Sequence, residues 1–216
     1  MRRDWWMPLT GIAFVVLLIV GWTIGGEPPD VESPVEEIVD FYVDDKDSIV
    51  LGLMVGGLGL LALLFFANHL RRVFSAAGEA PFAPLVLVGA AIMAVGGAVD
   101  ATIMLALAES VEDIEPSAVQ SLQALWDNDF IPIALGAITF LLTSGISILQ
   151  TRSLPSWLGW IAILLALLGA TPIGYFSFPA GGLWIIVVSV MLAVRARRAP
   201  GPGVDDPRAG RVGGVS

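Results

Sequence analysis

Long apolar stretches alternate with short polar ones along the 216 residues of the chain. A helix needs roughly 20 apolar residues to cross about 30 Å of hydrocarbon, and six stretches meet that requirement. The last two are separated only by Pro172 and Gly174, which break an apolar run of nearly forty residues and predict a tight turn between two helices. The pattern predicts six membrane spans, at 8–26, 49–69, 84–108, 130–150, 157–173 and 177–195.

The polar stretch between the first two spans has the pattern of a short helix. Ser33 is followed three residues later by Glu36, the arrangement of a capping box. Pro34 suits the first helical position because its missing N–H costs nothing there. Apolar residues then recur with helical spacing, while the opposite face is acidic. The apolar face consists of Val35, Ile38, Val39 and Tyr42.

The polar stretch between the third and fourth spans is similar. Pro116 lies near a helix start, and one face of the segment 115–126 is apolar. We therefore expect two short acidic amphipathic helices on the same side of the bundle, with their apolar faces packed over its mouth. The apolar face of the second helix consists of Val119, Leu122, Leu125 and Trp126.

Charged residues are divided between the two sides of the predicted bundle. With six spans, every arginine next to a span lies on one side, and Lys46 is the only basic residue on the other. Fifteen of the 20 acidic residues lie on that other side, nine in 27–47 and six in 109–129. Because Lys and Arg accumulate in cytoplasmic loops, we predict that both termini are cytoplasmic and that the acidic helices face outwards. The arginines next to spans are Arg2, Arg3, Arg71, Arg72, Arg152, Arg195, Arg197 and Arg198.

The first span could instead be a cleaved signal peptide, since Arg2 and Arg3 precede it. However, its apolar run is about 18 residues long and no small-x-small cleavage site follows it. A cleaved signal, or a bundle of five spans, would also scatter the arginines over both sides. We therefore expect a retained span within one membrane domain, residues 1–198. The Gly- and Pro-rich tail, 199–216, is predicted to be disordered in the cytoplasm.

Composition argues against several classes of function. The chain is 56% hydrophobic and 14% charged, whereas soluble domains carry about 25% charged residues. It contains no cysteine and one histidine, His69, so no cofactor and no metal site is predicted. Nucleic acid is not expected as a partner, because the sequence has no basic stripe to neutralise phosphates. Motifs of hydrolases, P-loop NTPases and dinucleotide-binding enzymes are missing, so no enzyme activity is predicted.

Asp100 is the strongest candidate for a functional residue. It lies within the third predicted span, about eight residues, or roughly 12 Å, from the outer end. A carboxylate at that depth should face the bundle and have a partner. The fourth span carries a polar stripe, and Thr139 in it has a similar depth, so we predict a contact between Asp100 and Thr139. Two interpretations stay open: a proton or cation relay, or hydrogen bonds that hold helices together. The stripe consists of Thr139, Thr143, Ser147 and Gln150.

Small residues are concentrated in the second and third spans. The second contains a G-x-x-x-G pattern and the third an alanine at every fourth position. Small residues let helix backbones approach closely, which predicts tight packing of these two spans. Alternatively, the glycines among residues 56–59 leave space for a small ligand at the depth of Asp100. The residues of the two patterns are Gly52, Gly56, Ala90, Ala94 and Ala98.

Several short motifs are similar to those of a known protein family. The most distinctive is LPSWLGW (154–160), and GLWIIVVSVML (182–192) follows in the last span. EEIVDFY in the first acidic stretch, LRR after the second span and Q-x-L at 120–122 accompany them. Over residues 5–196 the chain resembles a broad group of uncharacterised bacterial six-span membrane proteins that share a domain of unknown function. The resemblance implies a six-span fold in a bacterial plasma membrane, and it carries over no catalytic residue because the family has none assigned.

The sequence predicts an all-α, polytopic six-helix transmembrane bundle with two short acidic helices on its outer face. The leading hypothesis for its function is a non-enzymatic membrane protein that interacts with lipid, with a protein partner or with a second copy of itself. The alternative is a transporter or channel for a small solute, proton or cation that uses Asp100, Thr139, Thr143 and Ser147.

Overall fold

The structure, a computed structural model, describes residues 6–198, without the side chains of Tyr175 and Arg198. All secondary structure in this part of the chain is helical, and it contains no strand. The predicted cytoplasmic tail, 199–216, lies outside the described residues, as do Arg2 and Arg3. The helices are α1 Leu9–Gly25, α2 Val35–Asp44, α3 Lys46–Ala77, α4 Ala83–Ser110, α5 Pro116–Asp127, α6 Phe130–Thr151, α7 Ser156–Gly169 and α8 Ser177–Arg198, with a 3₁₀ turn at Gly174–Phe176.

Four helical segments of the described chain are long and apolar enough to cross a membrane. Two shorter apolar helices accompany them, α1 with 17 residues and α7 with 14. Several apolar helices of this kind are compatible with a multi-pass membrane protein, which is the coarse class that the sequence predicted. The four long segments are Lys46–Ala77, Ala83–Ser110, Pro116–Thr151 (which joins α5 to α6) and Ser177–Arg197.

The predicted spans coincide with helices, but two of their ends are wrong. The second continues to Ala77 rather than ending at 69, because apolar composition marks what lies in hydrocarbon and not where the helix stops. Leu70 and Phe74 are buried in its extra turns. The fifth ends at Gly169 rather than at 173, because a proline disfavours helical geometry in the residue before it and Pro172 ends the run.

Consecutive apolar helices of the bundle pack antiparallel, and glycines set the closest approach. A Cβ on Gly21 of α1 would lie 2.7 Å from the carbonyl oxygen of Gly52 of α3, and a Cβ on Gly52 would lie 2.6 Å from the carbonyl oxygen of Gly21. The predicted packing of α3 against α4 is made, since a Cβ on Gly97 of α4 would lie 2.8 Å from Cδ1 of Leu60, whereas the G-x-x-x-G pattern of α3 packs against α1. The reason is that Gly25, four residues after Gly21, gives α1 a matching pattern.

The small residues of α4 pack mainly against α6. A Cβ on Gly89 would lie 2.5 Å from the backbone nitrogen of Phe140, and a Cβ on Gly96 would lie 2.9 Å from that of Ile133. The alanine pattern is only partly buried, since Ala98 is exposed. The two glycines, seven residues apart, form the α6-facing side of α4.

The centre of the bundle is an apolar core with aromatic rings from three helices. Phe140 of α6 lies between Phe66 of α3, with ring centroids 6.5 Å apart, and Trp184 of α8, at 6.2 Å in an edge-on arrangement. The indole N–H of Trp184 donates a buried hydrogen bond of 3.0 Å to the carbonyl oxygen of Leu158 in α7. This bond joins the last two helices and satisfies a polar group that would be costly to bury alone.

The two short helices, α2 and α5, pack together over the ends of α3 and α4, and we call this pair the cap. Its apolar faces meet the last turns of α4 in a second core. Ile38 and Tyr42 are fully buried there and Val39 is partly buried, as the pattern predicted. The buried residues of the second core are Ile38, Tyr42, Ile49, Ile103, Met104, Leu107, Ala108, Val111 and Val119.

Two details of the cap differ from the prediction. Helix α2 begins at Val35, its N-cap is Pro34, and no side chain caps it. The predicted capping box of Ser33 and Glu36 is therefore wrong, because Ser33 lies one residue too early in the chain. In α5, Leu125 is 53% exposed, and the side chain buried in its place is Gln123.

Candidate functional site

A chain of buried hydrogen bonds holds the cap closed. The hydroxyl of Tyr42 in α2 donates to Oε1 of Gln123 in α5 over 3.0 Å. The Nε2 of Gln123 donates to the carbonyl oxygen of Pro29, in the connection before α2, over 2.9 Å. Tyr42 and Gln123 are almost fully buried, and the two bonds connect three segments, the first bond in a buried environment and the second in a partly buried one. Buried polar groups of this kind fix one arrangement of the elements that carry them.

Asp100 lies beneath the cap, opposite the start of α6. Gly96 of α4 faces Ile133 of α6, and the two helices are antiparallel, so Asp100, four residues later, faces Asp129, four residues earlier. The charges of the two carboxylates repel each other, as expected from this placement. We call Asp100 and Asp129 the carboxylate pair.

Trp126 and Tyr42 are the polar neighbours of the carboxylate pair. The indole N–H of Trp126 stabilises the charge of Asp100 from nearby, although the two groups lack the geometry of a full hydrogen bond. The Oδ2 atom of Asp129 is buried without a hydrogen-bond partner among the described residues. The hydroxyl of Tyr42 is close enough to Asp100 for an electrostatic interaction with its carboxylate.

Burial raises the pKa of Tyr42 well above its usual value, and the negative charge of Asp100 raises it further. Both effects act in the same direction, because loss of the phenolic proton would place a new negative charge in an apolar region beside an existing carboxylate. Tyr42 therefore stays protonated at neutral pH and remains a hydrogen-bond donor to Gln123.

The predicted contact between Asp100 and Thr139 is not made. Gly89 faces Phe140, so Thr139 lies near the level of Gly89, eleven residues from Asp100 and about 16 Å along the helix. The prediction assumed that α4 and α6 end at the same height. In the structure the last turns of α4, from Asp100 onwards, extend past the start of α6 into the cap.

Thr143 and Ser147 of the polar stripe lie inside the bundle, whereas Gln150 is exposed. The hydroxyl of Thr143 donates to the carbonyl oxygen of Thr139 over 2.7 Å, within α6. Ser147 and its neighbour Ser144 are fully buried, and their hydroxyls have no partner among the described residues. The stripe and Asp100 are therefore two separate polar regions.

The chemistry open to the carboxylate pair is limited. Two carboxylates at one level can share a proton or attract one cation, and nothing around them resembles a nucleophile with its base. In residues 6–198 no group of three or more His, Cys, Asp or Glu side chains could hold a metal ion.

Sequence reasoning missed three residues of this site, Gln123, Trp126 and Asp129. Gln123 follows Val119 by one helical turn, on the apolar face of α5, and a polar side chain at such a position could have been recognised as a buried hydrogen-bonding group. Trp126 was counted only as part of that face, and Asp129 only as one charge of an acidic stretch. Their arrangement depends on the register of α4 against α6 and on the packing of the cap, and no local sequence pattern encodes either.

Comparison of the chain with protein families, curated proteins and solved structures gave no match in any of the three.

Proposed function

We propose that this chain is a six-span integral membrane protein of a bacterial plasma membrane, with both termini in the cytoplasm and the cap outside. The helices α1, α3, α4, α6, α7 and α8 are the six spans. The distribution of charge supports this orientation, since the arginines lie at the end opposite the cap and acidic residues dominate the cap end.

The protein acts without catalysis, by interaction with lipid and with a protein partner or a second copy of itself. One observation favours interaction over transport as the function: Asp100 and the polar stripe of α6 are separated by about 16 Å of helix. A solute path would need them to line one water-filled route, whereas Thr143 and Ser147 are buried in the helix packing. The cap also covers the bundle above Asp100 with an apolar core, one buried hydrogen bond and one partly buried hydrogen bond.

Single-cysteine labelling tests the orientation, since the chain has no native cysteine. Glu37→Cys on the cap should react with a membrane-impermeant maleimide added to intact cells. Ser75→Cys near the end of α3 should react only after the membrane is permeabilised. Both positions are exposed, so labelling of both from one side would overturn the proposed orientation.

The carboxylate pair is the one observation that favours a second candidate, proton or cation transport. In liposomes that carry a pH-sensitive dye, the interaction hypothesis predicts no proton or cation flux above that of empty liposomes. Asp100→Asn should leave this unchanged, and so should the control Asp127→Asn, an exposed carboxylate of the cap. A flux that Asp100→Asn abolishes and Asp127→Asn preserves would replace the first proposal by the second. Mass spectrometry of the purified protein would then show whether a lipid or another ligand copurifies.

A further inference from the structure

The connection between α7 and α8 differs from the two acidic connections at the same end of the bundle. Residues 154–194 contain no Asp, Glu, Lys or Arg. The connection, 170–176, presents apolar side chains instead, and Ile173 is 62% exposed. A turn in water would normally be polar, so this composition needs another environment.

The α7–α8 hairpin is also too short to reach the cap end of α6. A Cβ on Gly169, the last residue of α7, would lie 3.3 Å from Cγ1 of Ile138. Ile138 is eight residues after Phe130, the first residue of α6, so α7 ends about 12 Å below the start of α6. The 14 residues of α7 span about 21 Å, whereas the hydrocarbon core is about 30 Å thick.

The turn itself does not make up this distance, because it folds back on the end of α7. A Cβ on Gly174 would lie 2.6 Å from the carbonyl oxygen of Gly169. The hydroxyl of Ser177, at the start of α8, lies 3.1 Å from the Cβ position of Gly169. The end of α7 and the start of α8 are therefore at one level, below the outer end of α6.

Several polar groups of the turn are satisfied by neighbours in the turn itself or in the adjoining ends of α7 and α8. The hydroxyl of Thr171 donates to the carbonyl oxygen of Leu168 over 2.6 Å, and that of Ser177 donates to the carbonyl oxygen of Gly174 over 2.6 Å. The amide of Gly174 donates to the carbonyl oxygen of Thr171 over 2.8 Å. A backbone in hydrocarbon needs hydrogen-bond partners within the protein, because no water is present to provide them.

We propose that the turn 170–176 lies submerged in the outer leaflet and that outer-leaflet lipid fills the notch above it. The notch is the space beside the first two turns of α6, 130–137. Its wall is apolar and exposed at Phe130, Ile131 and Leu135, and it continues the exposed apolar surface of α7. Acyl chains cover this wall, and the bilayer is locally thinner over the hairpin, since a short hydrophobic element draws the lipid surface inwards. The inference rests on the proposed function in that the chain must span a membrane with the cap outside.

Depth measurement with spin labels tests the proposal on the full chain in liposomes. Ile173→Cys carries the label in the turn, Leu164→Cys carries it in the middle of α7, and Glu112→Cys carries it in the aqueous connection before α5; all three positions are exposed. Collision rates with oxygen, which concentrates in hydrocarbon, are compared with those of a water-soluble nickel chelate. We expect the oxygen-to-nickel ratio at Ile173→Cys to exceed that at Glu112→Cys several-fold and to approach that at Leu164→Cys. Phe130→Cys should report lipid contact on the notch wall at a shallower depth than Ile173→Cys.

Each other outcome overturns the proposal in a recognisable way. An aqueous ratio at Ile173→Cys with a hydrocarbon ratio at Leu164→Cys would show that the chain spans the membrane but that the turn emerges from it. An aqueous ratio at Leu164→Cys would remove the membrane span itself, and the proposed function with it. Exclusion of both reagents at Phe130→Cys would show that protein, and not lipid, fills the notch. Phe176→Cys repeats the turn measurement should the label at Ile173→Cys prevent folding.

Discussion

Tyr42→Phe is the sharpest test of how the cap is held closed. The substitution removes only the hydroxyl, so the ring keeps its place among the buried residues of the second core. It leaves Oε1 of Gln123, which is 1% exposed, without the donor at 3.0 Å. A buried acceptor that loses its partner costs about 1–3 kcal/mol. Because each 1.4 kcal/mol is about a tenfold change in an equilibrium constant, the cap should open roughly 5- to 150-fold more often.

Hydrogen exchange of the backbone amides of α2 and α5 measures this opening directly. In Tyr42→Phe these amides should exchange faster by that factor, while the amides of α6 and α8 keep their rates. Ser121→Ala is the matched control, because the exposed hydroxyl of Ser121 bonds to the carbonyl oxygen of Ser117 within the same helix. Its effect should stay within about 0.5 kcal/mol. Equal exchange rates in Tyr42→Phe, Ser121→Ala and the unaltered chain would refute the role given to the buried bonds.

The remaining predictions concern helix packing and pH. Gly52→Ala should destabilise the protein in detergent by more than about 2 kcal/mol, because its Cβ would lie 2.6 Å from a backbone oxygen of α1 and backbone cannot yield as a side chain can. Gly57→Ala, where a Cβ meets nothing within 4 Å, should be neutral or should stabilise α3 by up to about 1 kcal/mol; thermal unfolding of the two variants with equal midpoints would contradict the packing. The pKa of Tyr42 is raised in the closed cap. The closed cap should therefore be fully stable below pH about 10, the usual pKa of tyrosine. It should weaken as the pH rises above that value, because the open cap releases a proton that the closed cap retains. Hydrogen exchange with a pH series corrected for intrinsic rates should show this loss in the unaltered chain and not in Tyr42→Phe.

The sequence and the structure agree best where a single helix decides the result. Apolar composition located the four long apolar helices and the two shorter ones, because each must place a continuous apolar surface against its surroundings. The burial of Ile38 and Tyr42 followed from their helical spacing alone. The end of α7 was harder, since Pro172 signalled a break without fixing the residue at which the helix stops.

The candidate site shows where local patterns fail. The sequence identified Asp100 as a buried carboxylate that needs neighbours, and it supplied the wrong neighbour. Gly89 and Gly96 fix the register of α4 against α6 and so bring Asp129 opposite Asp100. The packing of α2 and α5 over the last turns of α4 brings Tyr42 and Trp126 near it. Register depends on the fit of two complementary surfaces, and a slip of a few turns changes no residue's hydrophobicity.

The sequence by itself determined the helices, the separation of arginine from carboxylate and the amphipathic character of the cap, because each of these is a property of one segment and its solvent. Only the tertiary structure decided which helices meet at the glycines, that Gln123 joins Tyr42 to Pro29, and that the α7–α8 hairpin ends below the start of α6. Those features arise from contacts between segments far apart in the chain, where close packing selects one arrangement among many that the same apolar pattern allows.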